Sequence, residues 1–576
     1  MFRLIRYLKG YEKESIIGPL FKLLEACFEL VVPLIMAAII DVGIHNRDTG
    51  YILRMGGLLV LMGVLGLSCS ITAQYFAAKA AFGFGTALRR DMFQHINRLS
   101  YAELDSIGAS TLVTRVTGDI NQAQSGVNLV LRLFLRSPFI VAGALVLSFV
   151  IDARLGLIFL VVTPVMALVI FGIMRITMPI YKLAQKQLDR VLLLTRENLS
   201  GVRVIRAFSR QQEELDRFAE ANSALRSTQL RVGGISALLN PLTYVLVNLG
   251  ILVLLQQGAV AVDGGRISQG DLVALVNYMN QILLALVALA NLIVSFTKAL
   301  ASGNRINEIL DTQPSFTDEK ATRSQPVEGA PRVEFRDVSF GYGGSSALSH
   351  ISFKAWPGQT IGIIGGTGAG KSSLVNLIPR FYEASEGQVL VDGIDVKDQP
   401  FHQLRHHIGI VPQRAVLFRG TIRSNLRWRD EQAGDEELWR ALRIAQASEF
   451  VEQKPHKLDT TITQAGKNLS GGQRQRLTIA RALVGNPDIV ILDDSASALD
   501  YATDARLRHA LATELAGCTV FVVSQRAASI KHADLILVLD DGQLAGAGTH
   551  SQLLKSCPVY REICLSQLSK EEVEAE

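Results

Sequence analysis

The sequence predicts a multidomain membrane protein: an all-α transmembrane half of six helices, followed by an α/β half built around a P-loop. Three observations carry that prediction. The 576-residue chain is 49% hydrophobic and its mean hydropathy is +0.26, too apolar for an ordinary soluble protein. Its long apolar runs fall between about Ser15 and Lys298, whereas after Arg305 short strand-like and helix-like patterns alternate with normal charge. The second half also holds Gly365-Gly-Thr-Gly-Ala-Gly370-Lys371-Ser372 between an apolar strand and an amphipathic helix.

In chain order, the opening MFRLIRYLKGYEKES has no small-residue cleavage site after an apolar core, so it is not a removable signal. Arg3, Arg6 and Lys9 interleave with Leu4, Ile5, Tyr7 and Leu8, as in an interfacial elbow helix or a basic anchor before the first span. Six apolar segments lie near 16–43, 52–81, 129–151, 154–178, 236–262 and 271–298, each close to the roughly 20 residues that cross a bilayer. The links near 44–51, 152–153 and 263–270 are short. Those at 82–128 and 179–235 are long, helical in pattern and rich in Arg and Lys. They are expected to extend the spans into the cytosol and reach the soluble half. An even number of spans returns the chain to the cytosol for residues 305–576.

The net charge is only +5, and the clustering of basic residues on one side reads as a positive-inside signal rather than a nucleic-acid surface. The cysteines at 27, 69, 518, 557 and 564 show no CxxC or Cys/His spacing and read as thiols in a membrane and a reducing cytosol.

Polar residues inside spans carry a functional default because lipid makes them expensive. Glu25 and Glu29 stand one turn apart in the first span, and Arg132 and Arg136 likewise at the start of the third. A substrate pathway, a structural ion pair and headgroup snorkelling all fit them. Asn277, Asn280, Gln281 and Asn291 recur on nearly one face of the sixth span. That face suits a polar pathway or interhelical hydrogen bonds equally.

The soluble half is sharper. Residues Gly365, Gly366, Thr367, Gly368, Ala369, Gly370, Lys371, Ser372 and Ser373 form a full P-loop in its strand–loop–helix context. Its glycines let backbone N–H groups approach phosphates, Lys371 supplies charge to the β and γ groups, and Ser372 can ligate Mg²⁺. A nucleoside triphosphate is therefore the expected ligand. The strand DIVILDD ends in Asp493, suited to the metal-side carboxylate, and in Asp494, where a water-polarising base could stand. Between these motifs, Ser470-Gly471-Gly472-Gln473 opens another amphipathic helix, a second anion cradle. A domain that already has one cradle has use for a second if it serves a nucleotide held by another subunit.

The P-loop, the acid pair, LSGGQ and VPQ at Val411–Gln413 together resemble the nucleotide-binding domain of ATP-binding-cassette (ABC) transporters. With six spans ahead of it, the chain resembles a half-transporter of the multidrug exporter type, from the elbow helix to about residue 568. The resemblance implies the ABC exporter fold, with a transmembrane domain at 1–303, a linker at 304–331 and a nucleotide-binding domain at 332–576. GASTLVTRVTGDI and ENLSGVRVIRAFSRQQEELDRF, in the two long loops, are similar to segments that contain or adjoin coupling helices. The implied cofactors are ATP and Mg²⁺. By the same resemblance Tyr342 stacks on adenine, and Gln413 touches Mg²⁺, which Ser372 and Asp493 also hold. Ser470, Gly471, Gly472 and Gln473 face the opposite subunit's ATP, and Asp500 closes the D-loop run SALD.

Three positions depart from the family pattern. Asp494 stands where the catalytic Glu is usual, Gln525 where the switch His is usual, and Gln464 where exporters commonly carry Glu. Losing a methylene withdraws the carboxylate by about 1.5 Å, and misplacement on the order of 1 Å can cost about 10²-fold in rate. Gln525 can donate a hydrogen bond to a γ-phosphate but cannot become a cation. Two defects around one γ-phosphate, beside an intact signature, are what one half of an asymmetric heterodimer should carry. The expected partner is a second half-transporter with Glu and His in place, and the pair exports amphipathic small molecules, lipids or peptides across the plasma (inner) membrane. The alternatives are a homodimeric exporter with slow ATPase activity and an ATP-gated channel or regulatory subunit. A soluble ABC ATPase acting on DNA or ribosomes conflicts with the six spans, and import is disfavoured because no substrate-receptor element is evident.

Overall fold

The computed structural model describes residues 2–318, 321, 325–495 and 499–567. The chain divides into two compact units, one of Met1–Asn97 with Gly108–Thr312, the other of Arg98–Ile107 with Gln313–Glu576.

The first unit is all helix. Its elements are α1 (Glu12–Ala38) and α2 (Thr49–Ile96); α3 (Tyr101–Ile107) belongs to the second unit. After it come α4 (Ala109–Thr114), α5 (Ile120–Leu133), α6 (Arg136–Ile151), α7 (Ala153–Ala207), α8 (Gln211–Ala237), α9 (Leu239–Asp263) and α10 (Gln269–Asp311). Joined across short irregular turns, they make six helical segments long and apolar enough to cross a membrane. Several run well past the apolar stretch, as the long basic links require. α2 continues to Ile96 and α7 to Ala207, and at about 1.5 Å per residue their lengths greatly exceed a hydrocarbon core of roughly 30 Å.

The short links are set by capping residues. Asp48 accepts from Tyr51 N at the start of α2, Asp152 Oδ1 accepts from Arg154 N and Leu155 N at 2.9 Å, and Ser268 forms a capping box with Asp271 on α10. The bundle core gathers Leu30, Phe159, Met166, Leu254, Tyr278 and Met279 from α1, α7, α9 and α10. The N-terminal turn Phe2–Leu8 is a 3₁₀ helix whose Leu4 is buried and whose Arg3 pairs with Asp311 at 3.1 Å. The turn thus meets the end of α10 through an exposed ion pair.

α10 runs eight residues past the expected boundary at 303, to Asp311. Ile306 and Ile309 are buried there, and Arg305 Nε donates to Asp119 Oδ2 at 3.1 Å. Asp119 also takes Arg115 at 2.8 Å. Part of the expected linker is likewise built into the second unit, where Phe401 N donates to Asp318 and Val327 N to Asp392 O. Residues 319–320 and 322–324 of that linker, and 568–576 of the expected nucleotide domain, lie outside the described residues.

The second unit has two principal sheets. Its strands are β1 (Val333–Tyr342), β2 (Ser345–Ala355), β3 (Thr360–Gly365), β4 (Glu386–Val391), β5 (Ile394–Asp395), β6 (Ile408–Val411), β7 (Gly420–Thr421), β8 (Thr461–Ile462), β9 (Ile489–Asp493), β10 (Thr519–Val523), β11 (Leu535–Asp540) and β12 (Gln543–Gly548). One sheet runs β2-β1-β4-β5 and the other β12-β11-β3-β10-β9-β6. In the second, β11, β3, β10, β9 and β6 are parallel and β12 is antiparallel to β11. β9 and β10 are buried along their whole length, which explains their unbroken apolar runs.

Replacing Asp119 by Asn is expected to destabilise the first unit by roughly 1–3 kcal/mol. Arg115 and Arg305 would then face a neutral amide, Arg305 being 39% exposed and so partly compensated by water. Thermal unfolding in detergent measures this, and an unchanged midpoint would mean that the contact is dispensable.

Candidate functional site

Parallel strands deliver their C-terminal ends to one edge, and the loops there are the natural place for a ligand. Register makes this concrete. Ile363 of β3, Val523 of β10 and Asp493 of β9 lie in one row. The P-loop leaves β3 two residues further on and folds back, so that Ser372 Oγ donates to Asp493 Oδ1 at 3.0 Å. Gly370 turns the loop at φ +92°, and a Cβ there would meet the carbonyl of Ala347 at 2.6 Å. Gly365 is held tighter, a Cβ falling 2.1 Å from the carbonyl of Leu539.

A cavity of about 370 Å³ opens at this edge, lined among others by Tyr342, Gly370, Lys371, Ser372, Asp493 and Asp494. Thr367, Gly368, Ser373, Gln413 and Gln525 complete its polar wall, while Ser346, Ala347 and Val523 enter it without having been foreseen. Lys371 Nζ donates to the carbonyls of Gly365 and Gly366 at 2.9 and 2.6 Å, which holds the ammonium inside the loop. Tyr342, at the end of β1, is half-exposed; its hydroxyl lies 3.2 Å from Ser373 Oγ and its ring packs edge-on against Tyr382. Phe340 packs edge-on with the same ring, and the exposure of Tyr342 leaves aromatic surface open to a planar base.

Asp494 has left-handed backbone, φ +47°, a conformation that Asp tolerates better than most residues. Its N–H donates to Val523 O at 3.0 Å, and Gln413 Nε2 donates to its Oδ2 at 3.4 Å. Gln525 is exposed at the pocket lip. Its carbonyl accepts from Gln567 Nε2 at 2.7 Å, and Gln567 Oε1 accepts from Ala527 N at 2.9 Å. The amide of Gln567 therefore clamps both sides of this loop. Nothing in the sequence marked it, because the contact spans 42 residues.

Burial pushes the Asp493 carboxyl up, helped by the neighbouring charge of Asp494 and opposed by the Ser372 hydrogen bond. Burial pushes Lys371 down, while Asp494 and Asp493 hold it up. The hydroxyl, carboxylate and amide oxygens of Ser372, Asp493 and Gln413 are hard donors of the kind Mg²⁺ takes, so the residues fit that ion beside a polyphosphate.

Ser470, Gly471, Gly472 and Gln473 are not brought to this cavity. Ser470 caps the helix Gly471–Leu483, with Gln473 N donating to its Oγ and its own N–H donating to Gln473 Oε1. Ser470 and Gly471 are exposed. Asp500 also lies outside the cavity lining and caps Tyr501–Glu514 through Thr503 N at 2.8 Å. Ala496, Ser497 and Ala498, which include half of the SALD run, lie outside the described residues.

α3 sits in the same unit as the cavity. Tyr101 stacks on Phe381 with ring centroids 4.5 Å apart, and Tyr382 donates to Asp105. It immediately precedes the run GASTLVTRVTGDI that sequence similarity marked. The signal that could have found it is the pattern Ser100-Tyr-Ala-Glu103, in which Ser100 N donates to Glu103 Oε2 at 3.0 Å.

In the first unit, Glu25 is held by Lys22 at 2.5 Å and Glu29 by Arg136 at 2.6 Å. Asn277 and Asn280 are exposed and donate to carbonyls one turn back, and Asn291 is exposed. Gln281 departs from that face: its Nε2 donates to Glu29 O at 3.1 Å, on α1.

A P-loop cavity closing a parallel sheet, on a chain with six membrane-crossing helices, defines a membrane-bound P-loop ATPase. Residues 15–286 match the ABC transporter transmembrane region family and 348–497 the ABC transporter family. The chain is 38% identical over 573 residues to the uncharacterized ABC transporter ATP-binding protein YfiB of Bacillus subtilis, covering 99% of each. It is 31% identical to the ATP-dependent lipid A-core flippase of Chromobacterium violaceum, over 99% of this chain and 97% of that one. The structure of a bacterial Atm1-family ABC exporter with ATP bound superposes with a TM-score of 0.79 at 25% identity, covering 97% and 99% of the two chains. The chain therefore belongs to the ABC transporters, as an exporter half-transporter with one transmembrane and one nucleotide-binding domain. It is a multi-pass membrane protein and an ATP-hydrolysing transporter.

Two outcomes are expected at this site. As a Mg²⁺ ligand Asp493 would have to be ionised, and its proton is held to higher pH than an ordinary carboxyl's, so Mg·ATP affinity should fall on acidification from above the usual carboxylate range. Asp494→Asn removes one cause of that rise, and the midpoint measured with a fluorescent ATP analogue should move to lower pH. Gln567→Ala should speed amide exchange at Ala527 on the order of fivefold, about 1 kcal/mol of lost hydrogen bond; unaltered exchange would show that the clamp holds nothing.

Proposed function

We propose that this chain is the degenerate-site subunit of a heterodimeric exporter in the plasma (inner) membrane, with its nucleotide domain in the cytosol. ATP and Mg²⁺ bind at the P-loop cavity: Tyr342 against adenine, Gly365–Ser373 around the phosphates, and Ser372, Asp493 and Gln413 at the metal. Asp494 occupies the base position and Gln525 the switch position. Ser470, Gly471, Gly472 and Gln473 complete a competent site on a second half-transporter, which carries Glu and His, and Asp500 crosses between the sites. Closure on ATP moves the coupling helices and switches the spans between inward and outward access. Hydrolysis, mainly at the partner's site, resets them. The cargo is an amphipathic small molecule, lipid or peptide.

The observation that supports this most is the joint position of Asp494 and Gln525 on the wall of one cavity with Lys371. A shortened base and a neutral switch residue there act on the same γ-phosphate, while the signature helix keeps an ordered cap. The lipid A-core flippase among the relatives is compatible with lipid cargo.

The test is ATPase activity of the chain expressed alone. Unmodified, it should turn over slowly, and Asp494→Glu with Gln525→His should raise the rate by about 10²-fold. Turnover by the unmodified chain at rates ordinary for an intact exporter would sink the asymmetric reading in favour of a homodimer. Absence of vectorial uptake into inverted vesicles from the co-expressed pair would favour a regulatory subunit.

A further inference from the structure

Histidines crowd one short stretch of the second unit, His402-Gln-Leu-Arg-His406-His407, and none of them lines the nucleotide cavity. His402 and His406 stand four residues apart on the short helix Phe401–His406, so their side chains share one face. Leu404 turns the other side of the helix into the core, while His402 and His406 are exposed. Their rings stack, with centroids 6.0 Å apart and planes 27° from parallel.

The helix that carries the pair is anchored from behind. The Arg405 guanidinium lies over the rings of Phe381 and Phe401 at 5.3 and 4.4 Å and donates to the carbonyls of Pro379 and Arg380 at 3.1 and 3.0 Å. Its charge is thus directed inward, away from the imidazoles. Arg429 donates to the carbonyls of His406 and Ile408, and the carboxylates of Asp488 and Asp430 act on its charge. His407 packs edge-on against His406, centroids 5.8 Å apart, and its Nδ1 lies 2.6 Å from Asp488 Oδ2.

Two imidazoles at i and i+4 on a helix are the spacing with which paired histidines hold Zn²⁺. With Zn–N bonds near 2.0–2.1 Å and about 1.2 Å from nitrogen to ring centre, two rings on a tetrahedral ion stand roughly 5–5.5 Å apart. The observed separation is within about 1 Å of that, a closure that rotation of two exposed side chains supplies. Among the described residues no group of three or more His, Cys, Asp or Glu is placed to hold a metal, so water completes the coordination. Imidazole suits Zn²⁺, Cu²⁺ and Ni²⁺, whereas Mg²⁺ takes oxygen donors.

The pair also lies at the far edge of the sheet from the phosphates. His407 O accepts from Asp488 N and Ile489 N at 3.0 and 3.1 Å, which joins the starts of β6 and β9. The other ends of these parallel strands lead to Gln413 and Asp493. At about 3.3 Å per residue, the five residues of β9 separate the two edges by roughly 16 Å.

We propose that His402 and His406 chelate a divalent transition-metal ion of the Zn²⁺ type, at a site separate from the Mg²⁺ beside the nucleotide. The two imidazoles act as one bidentate ligand, the second binding at the high effective concentration that a shared helix face imposes.

The test is equilibrium dialysis of Zn²⁺ against the full-length protein in detergent, free of any polyhistidine tag and in millimolar Mg²⁺. The unmodified chain should bind Zn²⁺ saturably, and His402→Ala or His406→Ala should each weaken that binding on the order of 10²-fold. His407→Ala should leave it nearly unchanged. Mg·ATP affinity, read with a fluorescent ATP analogue, should be the same in all four proteins, which also shows that the variants are folded. With Co²⁺ in place of Zn²⁺, the visible absorption of nitrogen-ligated metal should appear in the unmodified chain and vanish in the double variant. Absence of saturable binding, displacement of Zn²⁺ by Mg²⁺, or binding that survives both substitutions overturns the proposal. A loss with His407→Ala as large as with His402→Ala overturns the two-imidazole arrangement.

Discussion

The second unit depends on the pairing of β10 with β3 on one side and β9 on the other. That pairing puts Ile363, Val523 and Asp493 in one row. At the roughly 4.8 Å spacing of neighbouring strands, the P-loop strand and the acid strand stand about 10 Å apart, and a loop of glycines and a hydroxyl bridges the gap to 3.0 Å. Every group that could act on a phosphate then emerges from the same edge. Asp494 follows β9, and Gln525 follows β10 by two residues. Change the register by one residue and the carboxylate turns to the other face of the sheet.

Because the three strands are buried and rigid, the consequence of a side-chain change at this edge is local. Asp494 is held from behind, by a bond from its N–H to Val523 O and a left-handed backbone. Gln525 is similarly held from behind, by an amide that takes its carbonyl and the N–H two residues on. The positions of both side chains at this edge are thus set by bonds to the strands and to Gln567.

Much of this was legible beforehand because it rests on local pattern. Apolar runs mark spans, and a glycine-rich turn between a buried strand and a helix marks the phosphate loop. What escaped reading depends on pairing across long separations. Gln567 meets the loop after β10 only in three dimensions, and Ser346 and Ala347 likewise reach the cavity wall only there. α3 lies in a link read as helical in pattern, yet its packing on Phe381 and Tyr382 went unread because those residues are far away in sequence. The stretch from Ser302 to Asp311 carries no continuous apolar run to mark it as helix; its order rests on burial of Ile306 and Ile309 and on the carboxylate of Asp119, on another helix, that takes Arg305.

The membrane half follows a different logic, in which charge must be balanced before anything else. Of five ionisable side chains at the inner part of spans one and three, four cancel in two pairs, and periodicity alone could not say which. Sequence placed Glu25 with Glu29 and Arg132 with Arg136, as neighbours on their own helices; the structure instead pairs Glu29 across to Arg136 and Glu25 back to Lys22. Only after that cancellation does Arg132 stand out. Pro138 is the second half of the reason, because by breaking the helix it exposes a positive helix end beside that residual charge. A straight span would have satisfied its own backbone and left a lone arginine free to reach toward water. The break instead holds Arg132, Arg136 and the Ser137 hydroxyl within two turns of one helix end.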